Sequence, residues 1–131
     1  MSDNPEKKLE EVIRRDGRYP REAFAFLHDA LARAVKEVYG DQAGDEGSRH
    51  VTGGQLCEAL RDEALERWGL LAPTVLGRWN IRETMDFGNM VYLLTDHGLM
   101  KKKDTDSIDD FRNVYDFAVA FGPDKVFRGN N

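Results

Sequence analysis

Asp86, Phe87 and Gly88 spell the tripeptide through which protein kinases hold a metal ion. That chemistry also needs a glycine-rich loop over the phosphates and a catalytic-loop aspartate, and the 131 residues contain neither pattern. Asp86 is therefore expected to cap a helix and Phe87 to lie in the core. Four carboxylates, Asp104, Asp106, Asp109 and Asp110, form the next candidate. A calcium loop of the EF-hand type starting at Asp104 would need an oxygen ligand at its fifth position, glycine at its sixth and glutamate at its twelfth. Those places hold Ile108, Asp109 and Tyr115, so the cluster reads as a solvated acidic turn.

His28, His50 and His97 could each act as a general base beside a carboxylate, yet no two are spaced to share one face of a helix. Cys57 stands alone, which excludes an internal disulfide and a cysteine-rich zinc site, and it reads as a core or boundary residue. No nucleophile elbow, Walker loop or H-E-x-x-H pattern occurs. No catalytic residue, metal ligand or cofactor is expected.

Two basic clusters remain. Arg14, Arg15, Arg18 and Arg21 fall within eight residues, with Tyr19 among them. Arginine beside an aromatic ring can grip phosphate and stack on bases; the same arginines can pair with Asp16, Glu22 and acids elsewhere. Lys101, Lys102 and Lys103 can touch a phosphate backbone or guard an edge strand against aggregation. The expected function is a non-enzymatic interaction module that binds a protein partner or a nucleic-acid backbone through these clusters. The alternative is a small enzyme or ligand-binding protein built on a histidine–carboxylate pair.

Charge limits both readings. The net charge is −5, distributed as 0, −3 and −2 over residues 1–40, 41–80 and 81–131. No domain-wide positive field exists to drive sequence-independent binding to nucleic acid. The 40% hydrophobic and 33% charged composition is that of a globular chain. No apolar run approaches the roughly 20 residues of a membrane helix. The polar, acidic start carries no signal pattern, so a cytoplasmic location without a membrane partner is the default expectation. One domain is expected over residues 1–131, with loose ends at about 1–4 and 126–131 and a flexible polar loop at 41–50.

The elements that must position these residues are mostly helical. Asn4, Pro5 and Glu6 form a helix start, Leu9, Val12 and Ile13 its stripe, and Gly17 its stop. A second helix begins near Pro20 and carries Phe24, Leu27, Leu31, Val35 and Val38, flanked by small Ala23, Ala30 and Ala34, up to Gly40. Thr52 and Gln55 match a capping box for a third, with Leu56, Leu60, Ala64 and Trp68 on its stripe and Gly69 at its end. A short apolar element, Leu71 to Trp79, stops at Asn80. The central helix, capped by Thr84 or Asp86, carries Phe87, Met90, Val91 and Leu94 at i, i+3, i+4 and i+7 and ends at Gly98.

Beyond it, Leu99–Lys103 is expected as a strand, Asp104–Ser107 as a polar tip and Val114–Phe117 as the return strand. His50–Val51 would add one short strand before the capping box. This order resembles a winged helix, so the expected fold is mainly α: a winged-helix-like helical domain with a small β-hairpin. The ordered set Arg14-Arg15-Asp16-x-Arg18-Tyr19, Glu22-Ala23-Phe24, His50-Val51-Thr52-Gly53, Asp86-Phe87-Gly88, Gly98-Leu99 and Tyr115-Asp116-Phe117 also resembles a family of small bacterial proteins from planctomycete and verrucomicrobial genomes. That resemblance implies a bacterial source and carries over no functional residue.

Overall fold

A computed structural model describes residues 4–40 and 50–128, without the side chain of Arg128. Among the described residues seven α-helices follow one another: α1 (Pro5–Asp16), α2 (Arg21–Tyr39), α3 (Gly53–Trp68), α4 (Ala72–Arg78), α5 (Thr84–Asp96), α6 (Phe117–Ala120) and α7 (Pro123–Arg128). Short 3₁₀ helices cover Gly69–Leu71 and Ile108–Phe111. The flexible loop expected at 41–50 lies outside the described residues except for His50, as do the outermost residues of both expected loose ends.

Local chemistry explains most boundaries. Asn4 Oδ1 accepts the Glu6 N–H at 2.9 Å, and Gly17, at φ 74°, closes α1 with its N–H on the Ile13 carbonyl. Thr52 and Gln55 form a reciprocal capping box on α3, at 3.1 and 2.8 Å. Asn80 takes the left-handed conformation after α4, at φ 65°. Leu99 N–H reaches the Leu94 carbonyl at 2.8 Å, the six-to-one bond of a glycine-stopped helix.

The N-cap of α5 is Glu83, not Thr84 or Asp86. Asp86 sits three residues in and reaches back, accepting the N–H groups of Arg82 at 2.8 Å and Glu83 at 3.2 Å. Thr84 is buried, and its hydroxyl donates to the Phe111 carbonyl at 2.6 Å and accepts the Val114 N–H at 3.1 Å. One threonine thus ties the start of α5 to the last residue of the second 3₁₀ turn and to the chain just beyond it.

The core forms where α2 and α3 pack on each other and α5 joins them through α3 and the second 3₁₀ helix. Ala23, Ala30 and Ala34 are buried on α2 and permit close approach, with Phe26 and Leu27 beside them. The apolar stripe on α2 is wider than the core needs: Leu31 and Val35 are half-buried, and Val38 is 40% exposed. Phe26, Trp68 and Trp79 meet with ring centroids 5.2–5.8 Å apart. Arg67 stacks over Phe26 and Trp68 and pairs with Asp29 and Glu63, joining α3 to α2 across the surface.

The winged-helix expectation fails. Among the described residues there is no strand, so the β-hairpin is absent and His50–Val51 is unpaired. Leu99–Lys103 is irregular. Asp106 Oδ2 accepts the Lys103 N–H at 2.7 Å while Asp106 N–H returns to the Lys103 carbonyl, which folds the chain into a tight turn. Ser107 and Asp110 then form a capping box that starts the Ile108–Phe111 turn. Of the expected return strand, Val114–Asp116 is irregular and Phe117 opens α6. The 3₁₀ helix before it delivers Phe111 into a notch between α3 and α5 where Gly53 and Gly88 supply no side chain. A Cβ at Gly88 would lie 2.8 Å from the Phe111 Cβ, and one at Gly53 would lie 3.0 Å from the ring.

Candidate functional site

Beside Phe111 the segments part. A cleft of about 560 Å³ opens between α2, the entry to α3, α5 and the turn at 100–107. Leu31 and Val35 form one wall, Val91 and Tyr92 another, with Met100 and Phe111 between them. This volume lies in the range of small-molecule sites, which combine apolar walls with a few convergent polar groups.

The polar groups lie at one end. His50 Nε2 sits 3.0 Å from Asp106 Oδ1, both side chains largely buried. The other Asp106 oxygen holds the Lys103 N–H. The Tyr39 hydroxyl, on the last turn of α2, donates to the His50 carbonyl at 2.5 Å and fixes its backbone. Lys101 and Lys102 also line the cleft, exposed to solvent, and Lys102 Nζ lies 5.5 Å above the Tyr92 ring. Tyr92 carries a buried hydroxyl without a hydrogen-bond partner among the described residues. Burial, followed by the carboxylates of Asp106, Asp110 and Asp96, pushes its phenol up, so the hydroxyl keeps its proton.

The two basic clusters differ. Arg15 pairs with Glu11 at 2.8 Å, Arg18 with Asp16 at 2.9 Å and Arg21 with Glu10 at 3.3 Å. Arg18 also stacks over Tyr19. Only Arg14 of the four has no ion pair among the described residues. Tyr19 is buried, and its hydroxyl donates to Asp86 at 2.7 Å and accepts from Asn89 at 3.2 Å. Burial, then the bond to Asp86, pushes its phenol up to about 12. Lys101, Lys102 and Lys103 are exposed and make no ion pair with the described residues, and two of them face the cleft.

The histidines separate likewise. His28 is exposed on α2 at the cleft edge. His97 lies elsewhere, its Nδ1 2.9 Å from the Leu93 carbonyl at the end of α5. Among the described residues, only His50 of the three meets a carboxylate. The acids of the 104–110 segment do not form a wing tip: Asp106 holds His50, Asp109 pairs with Arg112, and Asp110 caps Ser107. Among the described residues, no three side chains of metal-ligand type converge. Cys57 is buried, and that burial, with Glu58 behind it, pushes its thiol up to about 12.

Sequence reasoning did not single out Tyr92, and it read Asp106 only as part of a solvated acidic turn. Tyr92 falls beside the apolar stripe and reads as added core surface. Asp106 is 56 residues from His50 and carries no local signal of that pairing. No protein-family model, no curated protein and no solved structure matches the chain. No helix among the described residues is long and apolar enough to cross a membrane.

Proposed function

We propose that this chain is a non-enzymatic binding module whose binding surface is the cleft between α2 and α5, with the Lys101–Lys103 run at its mouth. The observation that carries the reading is the coincidence, in one cleft, of an apolar wall left over from the α2 stripe, a buried hydroxyl without a partner and lysines without ion pairs. A packed domain leaves few buried polar groups unpaired. The arginine cluster is the weaker surface, because three of its four charges are engaged by carboxylates of α1.

Binding fits better than catalysis. His50 and Asp106 have the geometry of a base and its orienting carboxylate, but the serine and threonine hydroxyls nearby serve as helix caps. Ser107 Oγ accepts the Asp109 N–H and Thr52 Oγ1 the Gln55 N–H, each as a helix cap. The Cys57 thiol stays protonated at neutral pH. The pair instead links the entry of α3 to the 103–107 turn and holds one end of the cleft in shape.

The test is a fragment screen on the ¹⁵N-labelled chain, including acids, amines and neutral compounds. Amide shifts should cluster at Leu31, Val51, Val91 and Met100. Shifts confined to Arg14–Arg21, or no hit at the cleft across the screen, would overturn the reading.

A further inference from the structure

The groups in the cleft can be divided into those already bonded and those still available. Asp106 is engaged on both oxygens, by His50 and by the Lys103 N–H. Asp110 accepts the Ser107 N–H. Lys101 and Lys102 have no carboxylate within ion-pair distance among the described residues. The Tyr92 hydroxyl is a protonated donor without an acceptor. Each carboxylate of the cleft thus carries at least one hydrogen bond, whereas two lysines have no ion pair and one buried hydroxyl has no hydrogen-bond partner among the described residues. The rest of the wall is aliphatic or aromatic.

Resting on the proposal that the cleft is a binding site, we infer that its ligand is a small amphipathic carboxylic acid. The carboxylate lies between the Lys101 and Lys102 ammonium groups and accepts from the Tyr92 hydroxyl, and the hydrocarbon body lies along Leu31, Val35 and Val91. Three features support this class. A carboxylate supplies the acceptor that Tyr92 lacks. Hydrogen bonds to a charged acceptor are roughly twice as strong as neutral ones. Finally, the Lys102 ammonium already sits over the Tyr92 ring, so cation and phenol converge without rearrangement. An amine would meet two lysines, and each carboxylate of the cleft already carries a hydrogen bond.

The experiment titrates the full chain with octanoate and, as a neutral control of similar length, 1-octanol, following amide shifts. The expected result is binding of both at the cleft, with octanoate preferred by roughly tenfold, the scale of one charge-assisted hydrogen bond. Lys101→Gln/Lys102→Gln and Tyr92→Phe should each weaken octanoate several-fold and leave octanol within about twofold. All three are conservative changes in chains whose amide spectra report folding directly. Equal affinity for the two probes, or an octanoate preference that survives both variants, overturns the carboxylate inference while the cleft remains a binding site. Failure of both probes to shift cleft amides overturns the inference together with the reading on which it rests.

Discussion

Phe111 has two sides, and they are built from the same segments to opposite effect. On one side its ring enters a notch between Gly53 and Gly88 so tight that a single added carbon would collide. There the neighbouring polar groups are paired, with Thr84 bonded to the Phe111 carbonyl and the Val114 N–H. On the other side α2, α5 and the 100–107 turn stand apart, and the Tyr92 hydroxyl has no partner. Close packing with satisfied polar groups is how a fold gains stability. An apolar gap with an unspent donor contributes little to stability and is suited to a ligand. The contrast sets the packed side and the proposed binding side on adjacent faces of one residue.

The largest effect should come from emptying the packed side. Phe111→Ala removes a buried ring held between two helices and is expected to cost about 3–5 kcal/mol, the range for burial plus cavity at large aromatic sites. Urea unfolding followed by circular dichroism measures it. A loss below about 1 kcal/mol would mean the notch collapses easily and is no tighter than the cleft. A smaller effect with an instructive sign should come from Gly88→Ala. Helix propensity alone favours alanine by about 1 kcal/mol. The new Cβ would meet the Cβ and ring of Phe111, which are anchored to a 3₁₀ turn and cannot swing aside. Overpacking of this kind typically costs about 1–3 kcal/mol, so the variant should be net destabilised. A more stable Gly88→Ala chain would show that the turn can move, and the comparison would lose its rigid half.

Most of the helical frame was legible in the sequence because helix signals are local. Asn4, Thr52 with Gln55, Gly17, Asn80 and Gly98 all act within a few residues of the positions they terminate. The buried face of α5 followed from its 3.6-residue period. The hairpin was misread because a lysine run, a polar turn and a returning aromatic segment satisfy the pattern of a wing. A contrary signal was present: Ser107 followed three residues later by Asp110 is a helix start, not a strand. Phe111 meeting Gly53 and Gly88, and His50 meeting Asp106, were not legible. Each joins positions tens of residues apart, and no period or cap encodes such a meeting. The face of α2 was half legible. Its stripe was visible, but only packing decides that the small alanines face α3 and that Leu31 and Val35 are left to line the cleft.

The smallest effect should come from the open side, and its sign makes it the sharpest test of the contrast. Tyr92→Phe removes one oxygen from a wall of the cleft and leaves the ring, its edge contact with Phe111 and the Lys102 ammonium above it. At most buried tyrosines that oxygen is hydrogen-bonded, and its loss destabilises. Here the hydroxyl is shielded from solvent without a partner among the described residues, so folding carries a desolvation cost with no return. Removing it should leave stability unchanged or raise it by up to about 1 kcal/mol. The measurement is again the urea midpoint without ligand, set beside that of Phe111→Ala. A fall of more than about 1 kcal/mol would mean that the hydroxyl is already bonded in the free protein. The two sides of Phe111 would then be equally satisfied, and the carboxylate inference would lose the donor on which it rests.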